Sequence, residues 1–183
     1  MPASALIVRV PEAEALAGAL RERFDASARM GVPAHITLVY PFVEAERIDA
    51  AVLDHLRTAL EGALAFDFTL NRAERFPATA WLAPEPAAPF IALIERLVAA
   101  FPAFPPFGGE FADIVPHLTV AHGDADDAAH VHARLAEALR AHGPVRSRCR
   151  EVVLFEPIGG RWSERQAFAL VDASGTGSDT ANA

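Results

Sequence analysis

Two short segments of the sequence share one pattern of histidine and threonine. VPAHITLVYPF (32–42) and IVPHLTVAH (114–122) each contain a Val-Pro step and a His-x-Thr triplet inside an apolar run. Alternate residues of a strand share a face, so His35 and Thr37 point the same way, roughly 6.5–7 Å apart, and so do His117 and Thr119. If the two strands face one cleft, two imidazoles and two hydroxyls converge. The alternative is two unrelated histidines, each satisfied in its own core.

Two histidines and two hydroxyls suit acid–base chemistry at phosphorus. The unperturbed pKa of histidine allows either role near neutrality, and a pair can divide the roles of base and acid. Threonine hydroxyls can donate hydrogen bonds to the non-bridging oxygens of a phosphate as charge builds up. Threonine is a poor zinc ligand, and the sequence has no His-Glu-x-x-His spacing. We therefore expect in-line attack on phosphorus with no metal and no other cofactor.

The elements around these motifs alternate between strand and helix patterns. Strands are predicted at 5–10, 35–42, 64–71, 79–86, 117–122, 150–157 and 165–171. Helices are predicted after Pro11 with an apolar stripe of Leu16, Leu20 and Phe24, over 48–60, over 91–101, and between an N-terminal cap at Asp124 and Gly143. This order predicts an α+β fold, with helices on the outer faces of largely antiparallel sheets.

Charge and composition restrict the class of partner. Sixteen Lys and Arg against 24 Asp and Glu give a net charge of −8, and the arginines are scattered. Long duplex nucleic acid is disfavoured, because binding it requires a basic stripe. An RNA terminus or a small phosphorylated nucleotide is compatible with this charge.

The sequence also carries signals about location and organisation. No apolar stretch is long enough for a membrane span, and the start does not resemble a signal peptide. Cys149 is the single cysteine; it favours a reducing, cytoplasmic setting, and a half-buried structural thiol is preferred to a catalytic thiolate. We expect a monomer with one domain over 1–171 and a flexible tail over 172–183, which is small and polar.

The paired motifs HITLVYPF and PHLTVAH resemble the 2H phosphoesterase superfamily, in particular bacterial 2′–5′ RNA ligase-like proteins, also described as RNA 2′,3′-cyclic phosphodiesterases. The resemblance extends from Ala5 to about Val171. It implies a bilobal, pseudo-two-fold fold with one motif on a central strand of each lobe, facing a shared groove. It also implies that His35 and His117 are catalytic, that Thr37 and Thr119 bind phosphate, and that 2′,5′-linked or 2′,3′-cyclic phosphates are opened or formed without a metal.

Three further residues have open roles. Many relatives have an arginine three residues after the second threonine, where this chain has His122. Strand alternation puts His122 on the face opposite His117 unless a bulge turns it, so a structural or surface role is the preferred interpretation. Trp162, beside Arg161, could stack on a base, but an anchoring role in the last hairpin is preferred.

The sequence therefore predicts a phosphoesterase acting on RNA ends or small nucleotides. Two alternatives remain open: a non-catalytic nucleotide- or RNA-binding module, and a cyclic phosphodiesterase acting on a metabolite other than RNA. The choice between hydrolysis and ligation, and between the two histidines as base and acid, is also left open by the sequence.

Overall fold

The computed structural model describes residues 3–109 and 114–172. Within them the strands are β1 (Ala5–Arg9), β2 (His35–Val39), β3 (Phe66–Phe76), β4 (Thr79–Glu85), β5 (Leu118–His122), β6 (Val145–Cys149), β7 (Glu151–Ile158) and β8 (Arg161–Ala169). The α-helices are α1 (Glu14–Phe24), α2 (Ala26–Arg29), α3 (Ala50–Leu60), α4 (Ala88–Ala100) and α5 (Ala125–His142).

The strands form two four-stranded antiparallel sheets. The first has the order β2-β1-β7-β8 and the second β5-β4-β3-β6, and every pairing is antiparallel. The two motif strands, β2 and β5, are therefore each the edge strand of one sheet, and they contact each other. The expectation that each motif lies on a central strand of its lobe is wrong. The predicted α+β architecture is confirmed, and the junction of the two sheets lies at the motifs.

Helices pack behind the motif strands and fix their buried faces. α1 contacts β5, α4 contacts β2, and α5 lies across β3 and β4. The predicted stripe of Leu16, Leu20 and Phe24 packs against the main core. That core includes Ile36 of β2 and Leu118 of β5, both completely buried. Burial of these alternate residues holds each motif strand in a register that leaves its other face for the groove.

The ends of the helices follow the predicted chemistry. The Asp124 carboxylate accepts hydrogen bonds from the backbone N–H groups of Asp126 and Asp127, which caps α5 as expected. Gly143 follows α5 with a φ of 79°, a conformation that favours glycine. Asp49 caps α3 in the same way, through the N–H of Val52.

One strand was not predicted, and two others begin or end several residues beyond their predicted bounds. β6 carries alternating arginines and few apolar residues, so no strand was predicted there; it forms the outer edge of the second sheet by pairing with β3. β8 was expected to begin at residue 165 but begins at Arg161. β3 was expected to end near residue 71 but continues to Phe76. Its last residues are polar or exposed, and their pairing with β4 keeps them in the sheet.

The terminal residues and the helices complete the description. The predicted flexible tail over 172–183 lies outside the described residues except for Asp172, which accepts a hydrogen bond from Arg148. None of the helices in the described part of the chain is long and apolar enough to cross a membrane.

Candidate active site

The four motif side chains lie on the partly exposed faces of β2 and β5. His35, Thr37, His117 and Thr119 are all partly buried, whereas the residues between them, Ile36 and Leu118 among others, are buried. The alternation expected from the sequence is therefore present around both triplets. It leaves one imidazole and one hydroxyl of each strand facing away from the core.

The two histidines lie near each other. β2 and β5 are in contact, and the charge of His117 contributes to lowering the pKa of His35. The contact between these two edge strands places both His-x-Thr triplets at one junction of the sheets. Ile36 and Leu118, on the opposite faces of the two strands, pack into one core cluster, so the two triplets do not lie in separate cores.

Both imidazoles are held in the same way by the chain just before them. His35 Nδ1 lies 2.8 Å from the carbonyl oxygen of Pro33, and His117 Nδ1 lies 2.6 Å from that of Val115. A carbonyl oxygen can only accept, so each Nδ1 carries the hydrogen and donates it. The neutral ring then has its lone pair at Nε2, and the protonated ring has an N–H there. Each Nε2 is thus prepared either to accept or to deliver a proton.

The environment favours the neutral form of both rings. The pKa of His35 is lowered from 6.5 to about 4, mainly by burial; the bond to Pro33 opposes this shift and the Arg21 guanidinium adds to it. Burial also lowers the pKa of His117, the charge of His122 adds to the effect, and the bond to Val115 opposes it. Both imidazoles are therefore neutral at pH 7 before a ligand binds.

A buried ionic network supports the chain segment that precedes His35. Arg21 is 1% exposed and donates hydrogen bonds to the Asp25 carboxylate and to the carbonyl oxygen of Val32. Glu14 accepts a hydrogen bond of 2.6 Å from the backbone N–H of Ala34. These bonds fix the residues just before β2, so the direction of His35 is determined by buried contacts.

A β-bulge in each motif strand changes the face of the residues that follow the threonine. In β2, Thr37 pairs with Ile7 and Val39 pairs with Leu6, which leaves Leu38 as the extra residue. Two successive residues are then buried, and the next one, Tyr40, returns to the side of Thr37. Tyr40 is 44% exposed.

The bulge in β5 corrects the expectation for His122. Thr119 pairs with Trp81 and Ala121 pairs with Ala80, so Val120 is the extra residue. His122 pairs with Thr79, which shares the face of Trp81, and its Nδ1 lies 2.9 Å from Thr79 Oγ1. The expected placement opposite His117 is wrong: the bulge turns His122 to the groove face, where its charge acts on His117.

Several groove residues were not found from the sequence. Arg9 is the cross-strand partner of His35 and forms ion pairs with Glu151 and with Glu164, the latter at 2.6 Å. Phe76 and Trp81 contact the ring of His117 from the second sheet. The presence of an arginine within an apolar strand was a sequence signal that could have identified Arg9. No short-range pattern linked the two aromatic residues to a motif about 40 positions later.

The remaining candidates contact residues outside the two His-x-Thr triplets. Trp162 packs against the small cluster of Ile7 and Val153 on the first sheet, which agrees with the preferred anchoring role, and its ring contacts Tyr40 edge-on. The guanidinium of Arg161 lies against Gly31. Cys149 is fully buried rather than half-buried, and burial raises the pKa of its thiol to about 12, which excludes a catalytic thiolate.

Other surface features lie away from the motifs. A cleft of about 500 Å³ is lined by β3 and β6 residues such as Asp67 and Arg146, and contains none of the four motif residues. Among the described residues, no three His, Cys, Asp or Glu side chains are grouped so as to hold a metal ion.

The sequence matches a family model across most of its length. The model of the 2′-5′ RNA ligase superfamily covers residues 9–161, a range that includes both His-x-Thr triplets. The chain belongs to this superfamily. The resemblance noted from the two motifs is thus confirmed at the level of the 2H phosphoesterases.

Solved structures share the fold of this superfamily member. Escherichia coli LigT in complex with ATP has a TM-score of 0.58 at 18% identity, covering 92% of this chain and 97% of LigT. LigT in complex with 3′-AMP has a TM-score of 0.55 at 20% identity, covering 93% and 98%. TT0787 of Thermus thermophilus has a TM-score of 0.52 at 19% identity, covering 91% and 97%. No curated protein matches the sequence.

Proposed function

We propose that this protein is a metal-independent phosphoesterase that opens a 2′,3′-cyclic phosphate, or cleaves a 2′–5′ phosphodiester, at an RNA end or in a small nucleotide. The observation that carries the proposal is the matched pair of imidazoles. Both rings donate Nδ1–H to a backbone carbonyl, which leaves Nε2 of each ring for proton transfer, and the two motif strands are in contact. Membership of the superfamily supports the same reaction class.

In the proposed reaction His35 is the base and His117 is the acid. Nε2 of His35, whose pKa of about 4 keeps it neutral, takes a proton from water as the water oxygen bonds to phosphorus. The bond from phosphorus to the 2′ or 3′ oxygen breaks, and Nε2–H of His117 protonates that oxygen. Thr37 and Thr119 donate hydrogen bonds to the non-bridging oxygens. Proton exchange with solvent then restores both rings.

His117, as the acid, must be protonated when the reaction begins, and the bound substrate stabilises this protonated form. The pKa of His117 is lowered in the unliganded protein, mainly by burial. A bound phosphate diester brings a negative charge next to the imidazole, and an opposite charge nearby stabilises the protonated form. We assign the role of base to His35, because its pKa, lowered mainly by burial to about 4, keeps it neutral over the pH range in which an acid can be protonated. His117 then takes the role of acid.

The partner class follows from the groove and from the net charge. A net charge of −8 does not favour a long nucleic acid, and E. coli LigT has been crystallised with NADP+, ATP and 3′-AMP. We therefore propose small nucleotides or RNA termini as ligands. Since each sheet contributes one motif, we also propose that residues 1–171 act as one bilobal domain.

A substrate screen in excess EDTA tests the function. The protein is incubated with 2′,3′-cyclic nucleotides, with 2′–5′ and 3′–5′ dinucleotides, and with a cyclic phosphate that lacks a base. Opening of the cyclic phosphates to monoesters, or cleavage of the 2′–5′ dinucleotide alone, supports the proposal. Tight nucleotide binding with no turnover would identify a binding module instead. Activity that disappears with EDTA and returns with zinc or magnesium would contradict the metal-free reaction.

A further inference from the structure

Phe76 and Trp81 form an aromatic wall on the groove face of the second sheet. The two ring centroids are 5.0 Å apart with an interplanar angle of 31°. Trp81 is 7% exposed, whereas Phe76 is 38% exposed at the end of β3. Trp81 therefore supports one side of the Phe76 ring, while part of that ring is open to solvent.

The aromatic wall adjoins the proposed acid of the reaction. The ring of His117 lies 5.6 Å from that of Phe76 at 89°, and 5.5 Å from that of Trp81 at 59°. The sheet register explains this placement, since Trp81 pairs with Thr119 and Phe76 pairs with Thr79, all on one face. When the phosphate of a ligand lies between the imidazoles, the group attached to that phosphate on the side of His117 therefore lies beside Phe76.

No hydrogen bond of the Trp81 indole, among the described residues, explains why a tryptophan occupies this position. Its Nε1 is buried and has no hydrogen-bond partner in the described part of the chain. Buried tryptophans usually satisfy this donor, so the contribution of Trp81 lies in its ring, which supports Phe76 and touches His117.

From these contacts we infer that the aromatic wall binds the nucleobase attached to the scissile phosphate, by stacking on the open side of Phe76. The inference rests on the proposed function and narrows its substrate class to nucleosides with a 2′,3′-cyclic phosphate or a 2′–5′ linkage, as opposed to base-free cyclic phosphates. Every base has a π-face, so stacking tolerates all four bases. No hydrogen-bond readout of the base is required.

The test compares substrates with and without a base. Adenosine 2′,3′-cyclic phosphate is compared with glycerol 1,2-cyclic phosphate for the wild type, Phe76→Leu and Phe76→Tyr. Removal of a stacking ring typically weakens binding about 5- to 150-fold, so Phe76→Leu is expected to raise KM for the adenosine substrate by a factor in this range. Phe76→Tyr keeps the ring and is expected to remain within about threefold. For glycerol 1,2-cyclic phosphate all three proteins should have the same kcat/KM.

The matched control shortens an exposed apolar side chain outside the groove. Ile158 is 58% exposed in the β7–β8 hairpin, and Ile158→Ala should change neither substrate. The inference is overturned if Phe76→Leu leaves KM for adenosine 2′,3′-cyclic phosphate unchanged. It is also overturned if the variant slows both substrates equally, because Phe76 would then act only through the position of His117.

Measurements of ligand binding test this inference independently of the proposed function. Calorimetric titration with 3′-AMP and with glycerol 2-phosphate measures the base contribution without turnover. If the wild type turns over neither the cyclic phosphates nor a 2′–5′ dinucleotide, the proposed function fails, yet preferential binding of 3′-AMP that is lost in Phe76→Leu still supports the aromatic wall. Equal affinity of the wild type for the two compounds contradicts base binding by the aromatic wall, whether or not the protein has phosphoesterase activity.

Discussion

Protonation of His35 should destabilise the fold between pH 6.5 and pH 4. Burial lowers the pKa of this group in the folded protein to about 4, from 6.5 in the unfolded chain. Between these values the unfolded chain binds the proton more readily, so the free energy of unfolding falls as the pH is lowered. The difference of about 2.5 pKa units corresponds to about 3 kcal/mol. The stabilisation is complete above pH 6.5 and is lost by pH 4.

The assay is urea denaturation at steps from pH 7.5 to pH 4. His35→Asn removes the titrating group, while its amide can still donate to the Pro33 carbonyl that His35 Nδ1 contacts. Relative to this variant, the wild type should lose about 3 kcal/mol over the range. His130→Asn, a change at an exposed position of α5, serves as the matched control and should follow the wild type. Equal pH dependence in the wild type and His35→Asn would refute the placement of His35 in a desolvated site.

Four further outcomes are expected from the site. Thr37→Val and Thr119→Val should each slow turnover of a cyclic nucleotide by about 10- to 150-fold, because each removes one hydrogen bond to a charged oxygen; unchanged kinetics would exclude phosphate contacts. Plotted against pH, kcat/KM should follow a bell-shaped curve with its maximum at acid pH. Its acid limb should lie near 4, from protonation of His35, and its basic limb below 6.5, from deprotonation of His117, because burial lowers both pKa values. His122→Gln removes the group whose charge lowers the pKa of His117 and should move the basic limb to higher pH; a downward movement would contradict the placement of His122 beside His117. Cys149 should resist an aromatic disulfide reagent at pH 8 until the protein unfolds, whereas rapid labelling would contradict its burial.

The part of the site that is local in sequence could be predicted. The period of two around His35 and His117 determines which residues are buried, and the structure follows it for both triplets. The capping of α5 by Asp124 was equally readable, because an aspartate one residue before a helix satisfies its first N–H groups. Both signals act within a few residues, and pattern analysis detects them.

The parts that depend on pairing between distant strands could not be predicted. The bulge at Val120 exists because the β4–β5 register shifts between Ala80 and Trp81, and it reverses the face of His122. The contact of Phe76 with His117 likewise requires β3, β4 and β5 to be neighbours in one sheet. β6 was missed because its arginines gave no apolar pattern, although its hydrogen bonds to β3 suffice to hold it at the edge.

The central claim is that His35 and His117 act together as base and acid, and turnover by three variants tests it most directly. His35→Asn and His117→Asn each remove Nε2 while an amide can still bond to the carbonyl that holds the ring. With adenosine 2′,3′-cyclic phosphate in excess EDTA, each single variant should lose about 10²–10⁴-fold in kcat. The double variant should be little slower than either single one, because the two groups work as a unit. Folded single variants that keep kcat within a few-fold of the wild type would contradict the account.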